Sequence, residues 1–123
     1  MTFSSRTRII GIHKAPAHLS PQDMEKKYRD LASAFASLPI VKQYCLKYEV
    51  CFANGKFEEH VRDINLHGFE VTVVSIVETE SDEALKKIMT DPAFQKVMEG
   101  ADFLDRNAGG SFGVDVLSFI DRA

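Results

Sequence analysis

Several signals that mark whole classes of protein are missing from this chain of 123 residues. No apolar run approaches the roughly 20 residues that a membrane-crossing helix needs, so no membrane partner is expected. The opening MTFSSRTR has no long apolar stretch after its charges, which argues against a secretory signal. Positive charge is not in excess: 15 Lys and Arg stand against 18 Asp and Glu, a formal net charge of -3. Nothing therefore favours nucleic acid as a partner. Cysteine is limited to Cys45 and Cys51. Both fall in one predicted strand, and at about 3.3 Å per residue they lie roughly 20 Å apart, too far for a disulfide. They read as small buried hydrophobes in a reducing compartment, the cytoplasm. No CxxC or Cys/His spacing suggests zinc, so no metal site is expected. A Gly-rich phosphate loop is also missing, since Gly109-Gly110 follows a predicted helix rather than opening one. No serine sits in a nucleophile elbow, and no cofactor is implied.

What is present is an ordinary globular composition, 45% hydrophobic and 27% charged. It suits one domain over residues 1–123 that buries its own core. The most informative stretch runs from Ser20 to Tyr48. Ser20 can cap a helix, Pro21 fits its first position, and Asp23 sits where a capping-box acid belongs. Met24, Tyr28, Leu31 and Phe35 recur at helical spacing and form a core stripe. Leu38-Pro39 ends the helix, and Val41 to Phe52 reads as a strand.

The rest follows in order. Arg8 to His13 (RIIGIH) is a first strand. Ala53-Asn54-Gly55-Lys56 is a break, and Phe57 to Gly68 is either a short helix or, as preferred here, an irregular segment with one helical turn. Phe69 to Val77 is a strong strand, with Phe69, Val71, Val73, Ser75 and Val77 on one face. Ser81-Asp82-Glu83 opens a helix, which Asp91-Pro92 interrupts and restarts. Asn107 to Gly110 ends it, and Phe112 to Ile120 is the last strand. The order is β-α-β-β-α-β, an α+β ferredoxin-like sandwich: a four-stranded antiparallel sheet with helices on one face. The strands are apolar on both faces, so the second face needs a cover, which points to a homodimer.

A basic residue after the first strand (Lys14), Pro16, then Ser20-Pro21-Gln22-Asp23 and Leu38-Pro39-Ile40-Val41-Lys42-Gln43-Tyr44 resemble the EthD-like proteins of the dimeric α/β-barrel superfamily. So do Asp91-Pro92-Ala93-Phe94 and Ala101-Asp102-Phe103-Leu104-Asp105. The resemblance implies that two sheets pair into a barrel shared by a homodimer. It also implies a pocket between each sheet and its helices. Relatives include decarboxylases, dehydratases, cyclases, isomerases and cofactor-free monooxygenases acting on aromatic, polyketide or lactone compounds. Many EthD-like proteins carry a first-helix histidine at the position that Leu31 occupies here.

Chemistry must then come from the remaining histidines and polar strand residues. His13 ends the first strand and can serve as a general acid or base, or simply bond nearby backbone. His60 and His67 flank the irregular segment, as catalytic loop residues or as solvated ones. Tyr44 and Tyr48, expected on one strand face, can orient a carbonyl or pack in the core. Glu70 and Asp115 are strand acids that would act as bases or substrate contacts if buried. The expected function is a cofactor-free lyase or isomerase acting on a small apolar molecule. The competing expectation is a homodimer that binds such molecules, or serves in stress response, without turning them over.

Overall fold

In the computed structural model, which describes residues 2–66, 72–104 and 109–122, the helix starts lie where their caps put them. Ser20 Oγ accepts a hydrogen bond from Asp23 N at 3.1 Å and begins α1 (Pro21–Ala36). Met24, Tyr28 and Phe35 on its inner face are buried. A proline can start a helix as well as stop one. Leu38 takes the extended conformation that a following proline imposes (φ -67, ψ 135), and Pro39 then opens α2 (Pro39–Tyr44). The expected strand from Val41 therefore begins only at Cys45. Val41 is buried as part of a helix, and Tyr44 closes that helix instead of sharing a strand face with Tyr48.

Strands β1 (Thr7–His13), β2 (Cys45–Phe52), β3 (Val73–Thr79) and β4 (Gly109–Val114) form one sheet in the order β2-β3-β1-β4. Each neighbouring pair is antiparallel. β1 and β2 thus run parallel with β3 inserted between them, the split βαβ arrangement expected from the sequence. Between β2 and β3 lies α3 (Glu58–Asp63), the short helix that the sequence allows beside the irregular backbone it favours. Acids at its start, His60 and Arg62 at its end, and a left-handed Asn65 (φ 61) just beyond account for this short helix. Ser81 caps α4 (Asp82–Met89), the helix expected to open at Ser81-Asp82-Glu83, and Asp91 caps α5 (Pro92–Glu99).

The last strand is earlier and shorter than Phe112 to Ile120. β4 pairs only with β1, and the ladder stops at Arg8↔Val114 because β1 itself stops near there. Beyond it only the isolated Phe3↔Leu117 bridge continues the pairing. Asp115 is consequently off the strand and exposed. Cys45 is half-buried and Cys51 exposed, so the expectation of two buried thiols fails; both are free. Among the described residues no helix is long and apolar enough to cross a membrane.

Register assigns every strand residue to a face. Val73, Ser75 and Val77 point to the helices together with Ile9, Gly11 and His13 of β1. The core there has two clusters. One joins Met24, Tyr28, Val73, Ala101 and Phe103, and the other joins Phe35, Val41 and Ile88. The opposite face carries Ile10, Ile12, Val74, Ile76 and Phe112. At its end the buried Glu78 carboxylate accepts from Arg6 at 2.8 Å and from Arg8 at 2.5 and 3.0 Å. These guanidinium hydrogen bonds hold its carboxyl below the usual carboxylate range.

Candidate active site

A cavity of about 220 Å³ lies between the helix-facing side of the sheet and α1, α4 and α5. Its walls are mostly aliphatic and aromatic. Leu31 and Phe35 come from α1, Ile88 and Met89 from α4, and Phe94 and Met98 from α5. Five polar side chains interrupt this lining: His13, Tyr28, Tyr48, Ser75 and Ser111. No Asp, Glu, Lys or Arg stands among the described lining residues.

His13 ends β1 with its ring centroid 5.9 Å from that of Tyr28. Its cross-strand partner is Gly109, and a side chain at Gly109 would strike the Ile12 carbonyl oxygen and come within 2.9 Å of His13 Nδ1. Gly109 must therefore be a glycine for β4 to pass this close to Ile12 and His13. Burial lowers the His13 pKa below its ordinary 6.5, because a half-buried imidazolium loses hydration. The ring is thus neutral near pH 7 and free to take up a proton.

Tyr28 reaches the cavity from α1. Its ring is held edge-on by Phe52 at 6.3 Å and Phe103 at 6.4 Å. Burial raises its phenol pKa, with hydrogen bonding by Ser75 acting in the opposite direction. Tyr48 on β2 packs 4.7 Å from Phe35, and burial, with the nearby Tyr28 and Cys45, pushes its phenol well above the ordinary 10.0. Both phenols remain protonated donors across the physiological range.

The structure thus brings His13 and Tyr48 together on one cavity. Tyr44 lies outside the lining, half-buried at the end of α2, where its hydroxyl accepts from Lys87 Nζ at 3.3 Å. His60 is exposed on α3, 6.1 Å from the Phe57 ring. Asp115 is exposed beyond β4. His67 and Glu70 lie outside the described residues. Sequence reasoning counted Tyr28 only as core and passed over Ser75 and Ser111. The signal available was a serine breaking the apolar face of β3. Leu31, where EthD-like proteins carry a histidine, does face the cavity and gives it an aliphatic wall. Among the described residues no three His, Cys, Asp or Glu side chains are grouped to hold a metal ion.

No family model and no curated protein matches the sequence. Solved structures do match the fold. A hydroxynitrile lyase from Passiflora edulis superposes with a TM-score of 0.66 at 8% identity, over 94% of this chain and 97% of that one. An ethyl tert-butyl ether d (EthD) family protein from Bacillus halodurans gives 0.65 at 10% identity, over 91% and 99%. A dimeric protein of unknown function and ferredoxin-like fold from Bacteroides fragilis gives 0.64 at 15% identity, over 94% and 98%. With its sheet order, its helices on one face and these neighbours, the chain has the α+β ferredoxin-like fold.

Proposed function

We propose that this chain is a small cofactor-independent enzyme of the lyase or isomerase type. Its substrate is an apolar aromatic, polyketide or lactone compound bound in the cavity under α1, α4 and α5. The observation that carries this reading is a neutral imidazole beside two protonated phenols in an otherwise apolar cavity. His13 takes a proton from the substrate, and Tyr28 or Tyr48 donates a hydrogen bond to the oxyanion that develops. The imidazolium then returns the proton to the product, so no external acid is consumed. A lyase with this fold is known in Passiflora edulis, which supports the reaction class by analogy of fold.

The working unit in this reading is a homodimer in the cytoplasm. A second copy covers Ile10, Ile12, Val74, Ile76 and Phe112, as the dimeric state of the Bacteroides fragilis neighbour suggests. Leu31 favours a second reading. With an aliphatic side chain at that wall, the dimer binds such molecules without turning them over.

Mass spectrometry of purified protein with phenolic acids, lactones and linear polyketide mimics tests both. A product that falls about 100-fold or more in His13→Ala supports acid-base catalysis, since a general base contributes about 10²–10⁴-fold. Ligand-induced thermal shifts with no product from any compound favour the binding reading.

A further inference from the structure

Three polar atoms converge on one point of the cavity floor. Gly11 lies in mid-β1, paired with Ser75 on β3 and with Ser111 on β4. A methyl group at Gly11 would stand 2.6 Å from Ser75 Oγ, 3.3 Å from Ser111 Oγ and 3.4 Å from His13 Nε2. With no Cβ at Gly11, two hydroxyls and an imidazole nitrogen close in over its Cα and present three polar atoms on one patch of the cavity floor. Ser75, Ser111 and His13 all line the cavity. A hydroxyl can donate or accept, and a neutral imidazole nitrogen does one or the other according to its tautomer. None of the three carries a fixed charge at neutral pH, and no described Lys or Arg lines the cavity.

Resting on the reading of this cavity as a substrate site, we infer that the Ser75–Gly11–Ser111 row and His13 Nε2 form the subsite for one uncharged oxygen of the substrate. That oxygen belongs to a ketone, an aldehyde or a hydroxyl. A carboxylate is rejected, because none of the described lining residues supplies a cation to offset its loss of hydration. Size restricts the substrate further. An apolar cavity of about 150 Å³ accommodates benzene. The 220 Å³ here suits a single ring with a short oxygen-bearing substituent. The ring packs on Leu31, Phe35 and Phe94 while the oxygen faces the Ser75 and Ser111 hydroxyls and His13 Nε2.

Calorimetric titration with acetophenone, toluene and benzoate tests the subsite. Wild-type protein should bind acetophenone about tenfold tighter than toluene, the ratio that one net hydrogen bond supplies, and benzoate weakest. Ser75→Ala and Ser111→Ala should each lower that preference about threefold or more while toluene binding holds. Gly11→Ala should erase it by forcing Ser75 Oγ aside; if that crowded variant does not fold, the serine variants decide. Equal wild-type binding of acetophenone and toluene overturns the subsite and leaves the cavity as a ligand site. So does a preference unchanged in both serine variants. Benzoate binding as tightly as acetophenone overturns the rejection of charge. No binding by any of the three overturns the reading of the cavity itself.

Discussion

The two faces of this sheet use the same four strands to opposite ends. On the helix-covered face the central row holds Gly11 between Ser75 and Ser111, and the next row holds Gly109 beside His13. Side-chain volume is withheld there, so that Ser75, Ser111 and His13 can close over the glycines at the floor of a cavity roofed by helices. On the other face Ile10, Ile12, Val74 and Ile76 form a continuous aliphatic surface, with Phe112 50% exposed, and no described helix covers it. Charge is gathered at one end, where Arg8, Glu78 and Lys47 share a row. One face is thus short of volume under a cover, and the other has volume without a cover. The first suits a ligand and the second suits another protein surface.

The contrast breaks most sharply at the open face. Ile76→Asp places a carboxylate in its centre, and sedimentation velocity at micromolar concentration should show monomer where the wild type shows dimer. A monomeric wild type in the same run would remove the open face from the contrast. A change under the roof comes next. Ile88 is 1% exposed against the cavity, and Ile88→Ala should cost about 2–5 kcal/mol in urea denaturation while the dimer persists. If Ile88→Ala instead dissociates the dimer, the two faces are not independent.

The smallest effect expected is a dependence of stability on pH, which separates the faces by their titrating groups. His13 on the covered face has a folded pKa below 6.5, so the unfolded chain takes up the proton first. Its contribution is complete above 6.5 and declines as pH falls through the window beneath it. Glu78 on the open face has a folded pKa below 4.5, so its contribution is complete above 4.5 and is lost only at lower pH. Urea midpoints at about pH 7.5, 5.5 and 3.5 should therefore fall in two steps. His13→Gln should flatten the first step alone and Glu78→Gln the second alone. A first step that survives in His13→Gln assigns that window to another group.

Much of the fold was legible residue by residue. Ser20 and Asp91 cap the helices they are expected to cap, because a cap needs only its own side chain and the next few amides. The misreadings arose where local rules permit two outcomes. Pro39 was read as a stop, yet it also began α2 and drew Tyr44 off the strand. The pattern Phe112 to Ile120 alternates like a strand, but a strand needs a partner, and β1 offers none beyond Arg8. Of the cavity lining, His13 and Tyr48 were legible as polar residues that end or alternate on apolar strands. Tyr28 was hidden inside a helical stripe where a core ring and a cavity ring look alike.

The sequence by itself determined where helices begin, which residues alternate along each strand and that both sheet faces are apolar. Those properties depend on neighbours within a few residues. Only the tertiary structure decided that Gly11 stands between Ser75 and Ser111, with His13 beside them under α1. That meeting is set by the register of strands far apart in the chain, which no single strand's periodicity encodes.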